Sequence, residues 1–276
     1  MTGSPKTTLT SRGLAPKKSF GQNFMMDQRI NAIFAQAASG FGQGLPMVEI
    51  GAGTGSLTEH LLGLCPLVHA IERDRDLVPI LRERFSKELA QGSLVIHEAD
   101  GARFDLSTVF ASDKPGIVVG NLPYHLTSSI MLMAMQYRHL IRGAVFLVQK
   151  EVADRLASMP NSKDYGFLTV VLNLAFRIHK VHQVDKSAFW PVPKIDSTII
   201  ALTPRAEQKN IDDIDGFISF VRSIFQKRRK KLSTIVAGLI SKETLINVGI
   251  NPDARPENLN PEQFVLLFLA KRVEKS

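Results

Sequence analysis

Three short segments carry residue types that could act together on a nucleoside. The first is Glu49-Ile50-Gly51-Ala52-Gly53-Thr54-Gly55, a turn whose glycines permit positive φ and let a ligand come close to the backbone, with a helix N-terminus just behind it. A dinucleotide fingerprint would require a further glycine at position 56, which is serine, and this weakens the NAD reading. The second segment type is an acid at the end of an apolar run, found at Glu72 and again at Asp100. A carboxylate at 72 would accept both ribose hydroxyls, and one at 100 suits an adenine amino group, because an ionised carboxylate only accepts and that amine donates. Either acid alone could equally cap the next helix. Their placement on consecutive strand ends favours a ligand site.

The third segment is Gly120-Asn121-Leu122-Pro123-Tyr124. Adenine N6 is a poor nucleophile because its lone pair is delocalised into the ring, so a catalyst has to hold it in line with an activated methyl group. An Asn oxygen and a backbone carbonyl accepting from the two N6 hydrogens would do so without a strong base. Pro123 stiffens the loop, and the Tyr124 ring offers a stacking surface worth about 1–3 kcal/mol per base. In isolation the segment could be an ordinary turn; its position after the two acids argues for a site.

These segments need a scaffold, and the chain between Leu45 and Lys150 supplies one. Short apolar runs at Met47–Ile50, Leu67–Ile71, Leu94–His97, Ile117–Gly120 and Ala144–Val148 alternate with helical patterns at Ser56–Leu64, Leu77–Ala90 and Ser128–Tyr137. Alternation of this kind predicts an α/β fold, an open doubly wound sheet. A helix is expected through Ser158. Two further apolar runs, Leu168–Val184 and Ser197–Leu202, have no helix between them and read as strands, which predicts a terminal antiparallel hairpin. Pro204 and the polar run Arg205–Asp215 read as a linker. Helical spacing of Phe217, Phe220, Val221, Ile224 and Phe225 then opens a small all-α C-terminal domain. The expected organisation is a flexible basic tail over 1–16, with Gly3, Pro5 and Pro16 interrupting any helix, a catalytic domain over 17–204 and a helical domain over 205–276.

Composition narrows the setting. With 44% hydrophobic and 22% charged residues and no apolar run long enough to span a bilayer, the chain reads as a cytoplasmic globular protein without a membrane partner. One cysteine, Cys65, excludes an intrachain disulfide and a cysteine-rich zinc cluster, and no metal site is expected. His179 and His182 lack a third ligand nearby. The net charge of +8 is unevenly spread. Residues 216–242 contain no acid and include Lys227, Arg228, Arg229, Lys230 and Lys231, the footprint of phosphate contacts, although a solvated helix face would look the same.

The motifs taken together are specific. The chain resembles the ribosomal RNA adenine N6,N6-dimethyltransferases, whose bacterial members dimethylate two adjacent adenosines near the 3′ end of small-subunit (16S) rRNA. The resemblance runs from Lys17 through KSFGQNF, EIGAGTGSLT, Glu72, Asp100, GNLPYHLTS, FLVQKEVADRLA and FWPVPKIDST to FQKRRKKL. It implies a Rossmann-like sheet that uses S-adenosylmethionine. Gln22, Asn23 and Met25 would cover the cofactor, with Gly51 beside its methionine moiety, Glu72 on the ribose and Asp100 on the adenine. Asn121 would be catalytic and touch the cofactor as well, Leu122 would supply the carbonyl, and Tyr124 and Phe189 would sandwich the target base. The basic run would grip 16S rRNA in the small subunit or its precursor; a monomer is expected. Met25, Ala52 and His125 depart from the commonest family pattern without removing a needed donor or acceptor. His125 is not read as a general base, since the methylated amine is acidic enough to lose its proton to water. Other readings are a large-subunit rRNA methyltransferase, a DNA adenine methyltransferase, whose loop usually opens with an acid instead of Asn121, and a ribosome-assembly factor with incidental methylation.

Overall fold

The computed structural model describes residues 3–206 and 211–274. Its centre is a seven-stranded sheet of order β4-β3-β2-β5-β6-β9-β7. The strands are β2 (Met47–Ile50), β3 (Val68–Glu72), β4 (Leu94–Glu98), β5 (Gly116–Asn121), β6 (Ile141–Gln149), β7 (Phe176–Val184) and β9 (Ser197–Pro204). β1 (Phe24–Met25) and β8 (Phe189–Trp190) form a separate two-stranded pair. β3 and β5 flank β2 in parallel, β4 and β6 extend the sheet outward in parallel, and β9 runs antiparallel to β6. The chain order reverses direction across the sheet between β2 and β5. Ligands of open α/β sheets bind at the carboxyl ends of the strands beside such a switch point.

The strands form where apolar β-branched residues cluster, and β2, β5 and β6 are buried almost throughout, as a parallel sheet covered on both faces requires. The helices are α1 (Pro5–Thr10), α2 (Gln28–Ser39), α3 (Ser56–Leu62), α4 (Val78–Arg84), α5 (Ser86–Gln91), α6 (Thr127–Gln136), α7 (Lys150–Leu156), α8 (Phe167–Ala175), α9 (Ile214–Gln226), α10 (Leu232–Ile235), α11 (Lys242–Asn247) and α12 (Pro261–Val273). The single helix expected over Leu77–Ala90 is two, divided at Phe85 (φ −113°, ψ 31°).

The structure departs from the sequence pattern in two further places. Leu168–Val184 is not one strand, because its first half is α8 and only Phe176 onward is β7. Nearly every side chain of α8 is buried, so no polar face marks the helical period. The N-terminal segment, expected to be a flexible tail, contains α1. Pro5 stands at its first turn, where a missing N–H costs nothing, and the Ser4 hydroxyl accepts from the Thr7 N–H at 3.2 Å. Leu9 then packs with Phe24, Leu77 and Ile80, and Arg12 pairs with Glu83 at 2.6 Å.

The chain divides into two compact units. Among the described residues, the first holds 3–153 and 178–204, and the second holds 154–177, 205–206 and 211–274. The helical unit therefore includes α8, upstream of the linker. Its interior is aromatic: Phe217 and Phe220 each lie 5.6 Å from Phe268, and Phe225 stacks on Phe264 at 5.5 Å. Residues 207–210 of the expected linker lie outside the described residues. Among the described residues no helix is long and apolar enough to cross a membrane.

Candidate active site

The glycine-rich turn leaves β2 at Ile50 and enters α3 at Ser56. Gly53 (φ 61°) and Gly55 (φ 84°) are left-handed, and a Cβ on Gly55 would fall 2.3 Å from the Phe85 ring, so both the conformation and the space exclude a side chain there. The Gly53 N–H donates to Glu72 Oε2 at 2.8 Å, and the Asp74 N–H donates to Glu72 Oε1 at 2.7 Å. Glu72 is 7% exposed. Each oxygen keeps a second lone pair, so the carboxylate is fixed in place while still able to accept two more hydrogen bonds. Burial raises its pKa above the usual carboxylate range, against the backbone bonds.

Asp100 follows β4. Its Oδ1 accepts from the Ala102 N–H at 3.0 Å, and its Oδ2 pairs with Arg73 at 3.1 Å. Arg73 also lies over the Phe20 ring, 5.7 Å from its centroid.

Asn121 ends β5. Its Nδ2 donates to the Asn23 carbonyl at 3.1 Å, which fixes the amide's rotation and makes Oδ1 the end left to accept. The Leu122 N–H donates to the Leu147 carbonyl at 3.3 Å, holding the loop to β6. Because Pro123 follows, the Leu122 carbonyl belongs to a peptide that presents an acceptor and no donor. The Tyr124 hydroxyl bonds Ser197 at 3.0 Å at the start of β9, so the ring is tethered from its far end, and burial raises the phenol's pKa.

These residues face one cavity of about 380 Å3. Gln22, Asn23, Met25, Gly51, Glu72, Asp100, Asn121, Leu122 and Tyr124 all line it. Phe189 does not. Its ring is 2% exposed and packs in the core cluster with Met25 and Val184, because β8 pairs Phe189 with Met25. Gln22 has both ends of its amide engaged, Oε1 by the Lys17 N–H at 2.8 Å and Nε2 by Asp74 at 2.7 Å.

Sequence reasoning passed over three cavity or near-cavity residues. Glu49 lies within β2, 2% exposed, with the Thr58 hydroxyl donating to it at 2.5 Å. Burial pushes its pKa up to about 8. An acid in the middle of an otherwise apolar strand was the available signal. Asn31 on α2 is also buried against the cavity. Asp74, one of the acids after β3, was lost among its charged neighbours Arg73, Arg75 and Asp76.

In the helical unit, Lys227–Lys231 form the turn between α9 and α10 rather than a helix face. Arg228 is used internally, bonding Glu257 at 2.9 Å and the Lys163 carbonyl at 2.8 Å. Lys231 pairs with Asp253 at 3.0 Å on the surface. Lys227, Arg229 and Lys230 are exposed. Among the described residues no group of three His, Cys, Asp or Glu side chains could hold a metal.

The sequence profile of the family described as ribosomal RNA adenine dimethylase matches residues 13–272. Ribosomal RNA small subunit methyltransferase A of Laribacter hongkongensis is 37% identical over 254 residues, covering 91% of this chain and 94% of that protein. The protein of the same name from Rubrobacter xylanophilus is 36% identical over 264 residues, 95% of this chain and 97% of its own length. Among solved structures, a dimethyladenosine transferase from Plasmodium falciparum superposes with TM-score 0.73 at 25% identity, covering 90% of this chain and 97% of that one. The 23S rRNA methyltransferase ErmE superposes with TM-score 0.66 at 27% identity, over 90% and 99%.

Proposed function

The chain belongs to the ribosomal RNA adenine dimethylase family, and from that membership we propose that it dimethylates the N6 atoms of two adjacent adenosines near the 3′ end of 16S rRNA, using S-adenosylmethionine. The observation that carries the proposal is the fixed amide of Asn121. With Nδ2 bound to the Asn23 carbonyl, Oδ1 is left as an acceptor at the carboxyl end of β5, one residue before the Leu122 carbonyl. Two acceptors so placed bind an N–H2 group and favour its pyramidal, nucleophilic form.

The residues present fit the cofactor. Glu72 retains two acceptor positions for ribose hydroxyls, Gly51, Ala52, Gly53 and Thr54 line the cavity, and Asp100 offers a carboxylate to an adenine amine. Gln22, Asn23, Met25 and Gly51 complete the wall. When bound, S-adenosylmethionine supplies an electrophilic methyl group on its sulfonium. The protein contributes position: Asn121 and Leu122 hold the target amine, and the tethered Tyr124 ring receives the base after it leaves its stack. Phe189 completes a sandwich only after its ring leaves the core. The proton lost from the methylated amine passes to water. Lys227, Arg229 and Lys230 serve as rRNA phosphate contacts, and Arg228 supports their turn.

Small-subunit specificity is supported by the names of the curated relatives, whereas the likeness to ErmE keeps large-subunit RNA as the alternative substrate. Primer extension on both rRNAs after incubation with unmethylated subunits separates them. Stops at two adjacent adenosines in small-subunit RNA alone are expected; a stop in large-subunit RNA alone overturns the assignment.

A further inference from the structure

One wall of the cavity is made of chain with little regular structure of its own. Residues 17–25 contain a single 3-10 turn at Lys18–Phe20, a left-handed Gly21 (φ 63°) and the two residues of β1. β8 holds the end at β1. The other end is held by Asp74, two residues beyond Glu72 and 2% exposed. Asp74 Oδ1 accepts from Lys17 Nζ at 2.5 Å and from the Asp76 N–H at 3.1 Å, while Oδ2 accepts from Gln22 Nε2 at 2.7 Å. Gln22 Oε1 accepts in turn from the Lys17 N–H at 2.8 Å. Lys17, Gln22 and Asp74 thus close a ring of bonds that pins both ends of the 17–22 loop. Burial alone pushes the Asp74 carboxyl up, but the bonds from Lys17, Asp76 and Gln22 outweigh it and hold its pKa below the ordinary range.

The same residue reaches both functional ends of the cavity. Its own N–H donates to Glu72 Oε1 at 2.7 Å. Through Gln22 it fixes the neighbouring Asn23, whose carbonyl sets the rotation of the Asn121 amide. We propose that Asp74 is a positioning residue that straps segment 17–25 to the end of β3 and so couples the ribose carboxylate Glu72 to the orientation of Asn121. The proposal rests on the methyl-transfer reading of the site. It also gives Gln22 a role as part of the strap, with its polar ends committed to the protein.

The test uses the full chain carrying Asp74→Ala, Asp74→Asn or Gln22→Leu. It measures S-adenosylhomocysteine binding by calorimetry, amide hydrogen exchange over residues 17–25, and single-turnover methyl transfer at saturating cofactor. Asp74→Ala is expected to weaken S-adenosylhomocysteine binding by about tenfold or more, the scale of one lost charge-assisted hydrogen bond. It should also speed exchange across 17–25 and slow transfer at saturation. Asp74→Asn, which keeps one acceptor, should recover part of each loss. Gln22→Leu, which leaves the buried acid and its Lys17 partner in place, should shift all three in the same direction by less, and it decides the matter if Asp74→Ala does not fold. A residue serving folding alone would change the melting temperature and the active fraction without moving the dissociation constant of the folded protein. Wild-type binding and wild-type exchange in folded Asp74→Ala, or in Gln22→Leu where Asp74→Ala does not fold, overturn the proposal. If the wild-type protein methylates no RNA, the functional reading fails instead, and the exchange measurement still decides the strap.

Discussion

At the carboxyl edge of the sheet, Glu72, Asp74 and Asn121 each carry hydrogen bonds to the protein itself, whereas Lys227, Arg229 and Lys230, in the turn between α9 and α10, are exposed to solvent. The two regions solve different problems. A buried acceptor has to be held by other bonds before a ligand arrives, since an unheld one is costly and wrongly aimed. Phosphate contacts depend on charge and counterion release, tolerate variable geometry, and need only a few firm supports such as Arg228 on Glu257. Single substitutions in the first region should therefore be severe and specific, and those in the second graded and salt-dependent.

The largest effect is expected at Asn121. Asn121→Ala removes one of the two acceptors for the amine and should slow single-turnover transfer by about 10²–10³-fold, the scale of losing one pre-positioned transition-state hydrogen bond. Near-normal transfer in a rapid-quench assay would show that the fixed amide is not what the site depends on. Next is Glu72→Gln, which turns an amide N–H2 toward the Gly53 or Asp74 N–H. We expect a loss of about 2–3 kcal/mol in cofactor binding by calorimetry, with a smaller change in turnover at saturation.

Reversing Lys227, Arg229 and Lys230 together to Glu should reduce the slope of log affinity against log salt by about 2–3 in filter binding to small-subunit RNA, one increment per lost phosphate contact. Arg228→Ala should instead lower the melting temperature and leave the slope nearly unchanged; the opposite pattern would reassign the two groups.

The smallest effect on turnover is expected at Glu49, whose consequence is for stability. Its folded pKa is raised from 4.5 to about 8 by burial, so the folded state keeps a proton that the unfolded chain releases near 4.5. The stability it contributes is complete below that point and is lost as pH rises through about 8. Glu49→Gln stays neutral throughout. Wild type should lose on the order of a few kcal/mol relative to the variant between about pH 5 and pH 8.5, read from paired thermal melts. Parallel pH profiles would contradict the assignment.

Much of this was legible from local pattern. Glu72, Asp100 and Asn121 sit at strand ends, and alternating strands and helices place such ends along one edge. What stayed hidden depends on distant partners or on a masked period. The Asp74 strap joins residues 52 and 57 positions apart, and the Arg228–Glu257 pair spans 29. Phe189 reads as an aromatic beside the site, yet its pairing with Met25 in the short β1–β8 ladder buries it. Pro5 reads as a helix breaker when it opens a helix, and α8 lacks the polar face that would separate it from a strand.

If the strand-end constellation carries out N6 dimethylation on small-subunit RNA, its product is a single kind of modified nucleoside in that RNA. The most direct test is transfer of radiolabelled methyl from S-adenosylmethionine to unmethylated small subunits, with large subunits and DNA as controls and nucleoside analysis of the product. N6,N6-dimethyladenosine is expected in small-subunit RNA alone, from wild type and not from Asn121→Ala. Label confined to large-subunit RNA, or equal label from both proteins, would contradict it.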